Sequence, residues 1–308
     1  MKNMFAGVNT PVGFVNFFDN IMPLERAKQR IFLKGPNGSG KSTFIKKIVA
    51  EFQTAGFSTE LFRCANDAES LDAMASPERG FCIIDATAPH ARDPELPAAI
   101  DRIIDFTQFT DEKKIIPHTD EIKSLIIQKK SLSEKARGYF AAVGNIYSAE
   151  KNFSKTVLTR KCLEFFDGSE ASQNPGSDRK LFLTAVTPDG VISFADKFFA
   201  ECIMHDTDIP LTALRDEANM RGISTESFCD PFAPTQIEYL FLPQKKIAFV
   251  TERNINNELF NKILDHTVFL LHTSRTQHIK IEEIYFNAID FDKINAFTEE
   301  IILQFDTQ

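Results

Sequence analysis

Two spacings of apolar residues alternate along this chain. The run RIFLK at 30–34 is short, apolar and followed by glycine, which predicts a strand. Just beyond it, Phe44, Ile45, Ile48, Val49 and Phe52 recur at helical spacing, with Gly56 as the stop signal, and predict a helix. STELFRC (58–64) alternates as a strand does, and GFCIID (80–85) is a continuous apolar run of the kind found in buried parallel strands. Pro94 and Pro97 punctuate the next loop, after which AAIDRIIDFTQF (98–109) reads as a helix. Leu132, Ala136, Phe140, Val143 and Tyr147 form one stripe and predict a longer helix from Ser131 to about Phe153. This alternation predicts an α/β fold, a P-loop NTPase-type parallel sheet with flanking helices.

Residues 167–179, DGSEASQNPGSDR, are polar and turn-forming, and they set the expected division. A first domain spans 1–168, a linker 169–179 and a second domain 180–308. LFLTAVT (181–187) resumes as a strand, much as NMFAGVNT does near the N-terminus. The similarity extends further. TPVGFVNFFD (10–19) and TPDGVISFAD (187–196) share five of ten residues, and GFSTELF (56–62) and GISTESF (222–228) share five of seven. Pro77 aligns with Pro243, and RGFCIID (79–85) with KIAFVT (246–251). Four blocks in one order predict two homologous α/β halves.

Length and composition fit this reading: 308 residues, 43% hydrophobic and 25% charged, allow two globular α/β domains. No run approaches the roughly 18 apolar residues of a membrane span, and the N-terminus lacks a sustained apolar core, so neither membrane nor secretory signal is expected. The five cysteines are widely spaced with no C-x-x-C, as expected of buried thiols in a reducing cytoplasm. A net charge of −8 argues against nucleic acid as partner. A basic stretch at 113–161 (Lys129, Lys130, Lys135, Arg137, Lys151, Lys155, Arg160, Lys161) is interspersed with acids and reads as a solvated helix face.

The candidate chemistry lies between the first strand and its helix. Gly35, Pro36, Asn37, Gly38, Ser39, Gly40, Lys41 and Ser42 fit G-x-x-x-x-G-K-[ST] in full. The glycines allow positive φ angles and close approach to phosphate. Backbone N–H groups from Gly38 to Thr43, with the positive end of the helix, would form an anion cradle. Lys41 would reach the β- and γ-phosphates of ATP, and Ser42 would hold Mg²⁺. Asp85, closing the strand FCIID, is the expected second ligand of the metal. Ala86 follows it where many P-loop ATPases carry a water-activating glutamate. The loop ATAPHARDPE offers His90 to orient or deprotonate water, Thr87 to support metal or phosphate, and Arg92 to neutralise charge on the γ-phosphate.

In the second half the offset of 166 that aligns Gly56 with Gly222 places positions 38–43 on Met204–Ile209 and Asp85 on Thr251, without glycines, lysine or metal acid. His205, Asp206 and Asp208 read as a solvated loop rather than a metal site. This half is expected to cover the first or to bind a protein partner.

Thr10, Gly13 and Phe14, then Gly35–Thr43, then Asp85, Thr87, Ala88, Pro89 and His90, with Asp93, Pro94 and Pro97, together resemble a bacterial family of tandem P-loop ATPases of mostly uncharacterised function. In that family each half carries a T-x-x-G-F-like segment, a P-loop and D-[GS]-T-A-P-H. The resemblance covers most of the chain and implies ATP binding. It departs at Ala86 and in the second half, where the repeated P-loop, aspartate and histidine are missing. Three functions stay open: an ATPase or ATP-driven switch with one working site, a small-molecule or nucleotide kinase whose lid comes from 113–161, and a nucleotide-stabilised partner-binding module. A transporter ATPase is excluded by the lack of an LSGGQ-type signature, and the lack of N-K-x-D favours ATP over GTP. Oligomeric state is not readable from these residues.

Overall fold

The computed structural model describes residues 1–151, 166, 172–207, 209–251 and 255–306. They form an α/β protein with mixed sheets and flanking helices, divided into two compact units that interleave along the chain. The first unit takes 1–3, 21–136 and 269–308, and the second takes 4–20 and 137–268. This differs from the consecutive division at 169–179, because the N-terminal hairpin joins the second unit and the C-terminal helices return to the first.

In the first unit, β1 (Lys2–Met4), β4 (Gln29–Lys34), β5 (Glu60–Cys64), β6 (Asp67–Ser76), β7 (Phe81–Asp85) and β8 (Asp101–Asp105) form one sheet in the order β1-β5-β6-β7-β4-β8. Strand β4 is parallel to both β7 and β8, but β6 is antiparallel to β5 and to β7. The sheet is therefore mixed, not mostly parallel as the pattern predicted. Strand β6, DAESLDAMAS, carries no β-branched residue and several alanines, so propensity gives no strand signal. Its pairing comes from tight connections on both sides, the second ending at Gly80 with φ +65°.

The predicted helix at 98–109 is also corrected. Ile100, Ile103 and Ile104 have helical spacing, yet Asp101–Asp105 is strand β8 and Phe106–Phe109 a 3-10 turn. A buried ion pair decides it: Arg30 Nε and Nη2 on β4 donate to the Asp101 carboxylate at 2.7 and 2.8 Å. That carboxylate also accepts the backbone N–H of Glu95 and Leu96. No helix at 98–109 would leave these charges paired across two strands.

Helix α1 (Lys41–Thr54) matches its prediction, with Phe44, Ile45, Ile48, Val49 and Phe52 all buried and Gly56 at φ +81° beyond its end. These side chains, with Ile31, Leu33, Met74, Ile83 and Ile104 of the sheet and Ile294 and Ile301 of a C-terminal helix, form the core of the first unit. After the short α2 (Glu112–Ile115), helix α3 runs Thr119–Glu150, longer at its start than the stripe suggested. Ala136, Phe140, Val143 and Tyr147 are buried as predicted; Phe153 lies outside the described residues.

In the second unit, β9 (Asp178–Leu181), β12 (Ile203–Asp206), β13 (Thr225–Asp230), β14 (Ala233–Leu242) and β15 (Ile247–Val250) form a sheet in the order β9-β13-β14-β15-β12. Beside it are two hairpins, β2 (Gly7–Thr10) with β3 (Gly13–Asn16), and β10 (Thr184–Thr187) with β11 (Gly190–Ser193). Phe5 and Phe182 exchange backbone hydrogen bonds of 2.8 and 3.0 Å. The duplicated T-P-x-G is one turn built twice. Thr10 Oγ1 donates to Gly13 O at 2.6 Å and accepts Val12 N–H; Thr187 Oγ1 donates to Gly190 O at 2.9 Å and accepts Asp189 N–H. Gly13 and Gly190 sit at φ +115° and +107°, which a side chain would strain.

Helices α4 (Ala195–Phe198) and α5 (Leu211–Met220) follow, then α6 (Glu258–Phe286) and α7 (Phe291–Asp306). Helix α6 belongs to the second unit as far as Val268 and to the first from Phe269. Among the described residues no helix is long and apolar enough to cross a membrane. Cys64, Cys82, Cys202 and Cys229 are free thiols; Cys162 lies outside the described residues.

Candidate functional site

The C-terminal ends of β4 and β7 lie side by side, Leu33 opposite Asp85. From β4 the chain enters the glycine-rich loop 35–40 and then α1, so the loop hangs directly beside the aspartate. Two glycines are required by close approach. A Cβ on Gly35, at φ +141°, would meet Phe106 Cβ at 2.8 Å; one on Gly38, at φ +76°, would meet the Glu282 carbonyl of α6 at 2.5 Å.

Lys41, the first residue of α1, is buried, and its ammonium donates to Gly35 O at 3.0 Å and Pro36 O at 2.7 Å. Asp85 Oδ2 is 3.6 Å away. Burial pushes the Lys41 pKa down, and Asp85 opposes that shift. Asp85 Oδ1 accepts Thr87 N–H at 3.0 Å, and Thr87 Oγ1 donates to Gly35 O at 3.3 Å, tying the loop after β7 to the glycine-rich loop. Ser42 Oγ accepts Leu71 N–H from β6 at 2.9 Å.

A β-bulge lies beside that last contact. Phe62 pairs with Ala73 and Arg63 with Leu71, which leaves Asp72 as the extra residue of β6. Bulges turn a side chain away from the regular pleat, and here Asp72 is turned into the same cavity as Lys41 and Asp85. His90 is buried with Nε2 3.8 Å from Asp72 Oδ2. Burial pushes the Asp72 carboxyl up to about 6, and His90 nearby lowers it. Sequence reasoning placed His90 beside Asp85 and missed Asp72, because an acid in an unrecognised strand carries no signal.

The cavity of about 490 Å³ is lined by Asn37–Thr43, Asp85, Thr87 and His90 on one side. Lys129 of α3 and Arg275, His278 and Glu282 of α6 line the other. Lys129 Nζ donates to His278 Nδ1 at 2.8 Å, and Asn37 Nδ2 is 3.5 Å from that nitrogen. Arg275 Nη2 donates to Asp67 Oδ1 at 2.8 Å. Burial, with Lys129, Lys41 and Arg275 nearby, pushes His278 down to about 4, so its ring is neutral at pH 7 and accepts from the ammonium. Burial also lowers the Lys129 pKa and raises that of Glu282. The α6 residues went unread in the sequence. Their available signal was spacing, since 275, 278 and 282 share one helix face.

Of the basic stretch, Lys129 enters the cavity, while Lys130, Lys135 and Arg137 are exposed, as expected of a solvated face, and Lys155, Arg160 and Lys161 lie outside the described residues. Arg92 is not among the cavity-lining residues; its carbonyl accepts from Lys34 at 2.7 Å. Among the described residues no group of three or more His, Cys, Asp or Glu is placed to hold a metal ion.

Among the described residues the second unit has no counterpart of the loop. Met204, His205 and Asp206 are in strand β12, not the solvated loop expected, and α5 begins at Leu211. Position 208 is outside the described residues. The register of β13 with β14 nonetheless repeats that of β5 with β6. Phe228 pairs with Tyr239 and Cys229 with Ile237, leaving Glu238 as the extra, buried residue. Compared with protein-family models, curated proteins and solved structures, the chain matches none.

Proposed function

We propose that this chain is a P-loop NTPase-type protein that binds Mg²⁺·ATP through residues 35–43 and hydrolyses it slowly at a single site in its first unit. The observation that carries the reading is the meeting of Lys41 and Asp85, 3.6 Å apart, beneath a glycine-rich loop at the ends of adjacent parallel strands. Lys41 now rests on the Gly35 and Pro36 carbonyls. An incoming phosphate offers it stronger, charge-assisted bonds than those neutral acceptors. Ser42 and Asp85, which line one cavity, fit a Mg²⁺ that takes its other oxygens from phosphate and water, so no three-acid cluster is needed. Bound there, the ion would neutralise phosphate charge.

His90, whose Nε2 lies 3.8 Å from Asp72 Oδ2, is proposed as the base. Water oxygen attacks the γ-phosphorus, the bond to the β–γ bridging oxygen breaks, ADP departs, and the water proton passes to His90. Water is the acceptor adopted here, with transfer to a small molecule beside loop 86–97, of which Thr87–His90 line the cavity, as the alternative.

The second unit is read as a duplicate that kept sheet order and bulge and lost the loop, in keeping with the resemblance to tandem P-loop ATPases. It is proposed to serve as a protein-binding half in a cytoplasmic chain. The test is ³¹P NMR of the chain with Mg²⁺·ATP. Inorganic phosphate and ADP should accumulate slowly, and Lys41→Ala should abolish both; intact ATP over days, or equal turnover in the variant, would defeat the hydrolase reading.

A further inference from the structure

Two cations face the glycine-rich loop from helices that the motif does not include. Lys129 and Arg275 are held on neighbouring stretches of α3 and α6. Ser133 and Ser274 hydroxyls are 2.9 Å apart, and Ser274 Oγ donates to the Lys129 carbonyl at 3.3 Å. Each cation has a resting partner inside the cavity, His278 for Lys129 and Asp67 for Arg275. The Glu282 backbone against Gly38 fixes α6 at the loop itself, so both cations border the space beyond Lys41 rather than a separate surface.

We infer that Lys129 and Arg275 form the second half of the phosphate site, exchanging His278 and Asp67 for the terminal phosphate of a nucleoside triphosphate and so making the site selective for triphosphate over diphosphate. This rests on the nucleotide reading above. A terminal phosphate brings oxygens that a diphosphate lacks, and guanidinium grips such oxygens in bidentate fashion. The neutral His278 ring gives up an ammonium more readily than a carboxylate would. Asp67 holds Arg275 more firmly and sets a resting competition that triphosphate must overcome.

Affinities of the full chain for Mg²⁺·AMP-PNP and Mg²⁺·ADP, by isothermal titration calorimetry, test this. Arg275→Ala and Lys129→Ala should each weaken AMP-PNP about ten-fold or more, as loss of a charge-assisted bond does, with ADP changed less than about two-fold. Asp67→Asn should act in the opposite direction, tightening AMP-PNP by releasing Arg275, which a mere folding defect would not do. Equal losses for both nucleotides, or unchanged AMP-PNP binding in all three variants, would overturn the inference while leaving the loop as a nucleotide site. Failure of the unmodified chain to bind either nucleotide would instead overturn the reading beneath it, and this inference with it.

Discussion

Asp72 and His90 face each other inside the cavity wall, and the carboxyl sits near 6 against an ordinary 3.8. A carboxyl whose folded pKa is raised contributes stability that is fully present below the unfolded value and is lost as pH rises through the folded one. The window here is therefore about pH 4 to 6. Raising the carboxyl from 3.8 to about 6 bounds the effect at roughly 3 kcal/mol. Asp72→Asn removes the buried charge, so its stability by urea denaturation should match the wild type at pH 4 and exceed it by up to about 3 kcal/mol at pH 7. A variant that tracks the wild type across this range would show that no charge is confined there. The two residues differ in legibility for a physical reason. His90 follows a strand end whose apolar run is plain in the sequence, whereas Asp72 points inward only because a bulge removes one residue from the pairing.

Among the elements, β6 and β8 were hidden and α1 was not. Helix α1 packs one face on a sheet, so its apolar residues recur at helical spacing and all are buried. Strand β8 has helical spacing too, but the Arg30–Asp101 pair and the ladder to β4 override it. Both side chains are almost wholly buried, at 6% and 0% exposure, and the Arg30 guanidinium holds the Asp101 carboxyl below the usual carboxylate range. Truncating Asp101 leaves the buried Arg30 guanidinium with only the largely exposed Glu95 carboxylate, 3.1 Å from its Nη1, so Asp101→Ala should cost about 3 kcal/mol in chemical denaturation. A loss under about 1 kcal/mol would mean that the pair does not hold β8 in place. The glycine-rich loop was legible in full because the positive φ angles of its glycines are a local demand on the residues that carry the motif. The residues facing it from α3 and α6 are brought by long-range packing, which leaves little trace in sequence spacing.

Across the whole molecule, two sheets share strand order, a bulge at the corresponding place and a T-P-x-G turn, while among the described residues only one carries the loop. The matched segments in the sequence therefore mark backbone devices, a turn and a bulged hairpin, and do not by themselves mark chemistry. What differs is the connection after the strand next to β7 or β15. Residues 35–40 carry the glycines of the motif, whereas the sequence between β12 and α5, 207–210, has neither glycine nor lysine. The interleaving of units was beyond the sequence, since a polar stretch at 167–179 signals a loop but not which strands fold together. The proposed single site would bind one nucleotide per chain.

The most direct measurement is calorimetric titration of the full chain with Mg²⁺·AMP-PNP beside Lys41→Ala. The account predicts saturable binding at one nucleotide per chain and at least a ten-fold weaker interaction in the variant, which would lose the charge-assisted bond proposed between Lys41 and phosphate. Two nucleotides per chain, binding indifferent to Lys41, or no binding at all would contradict it.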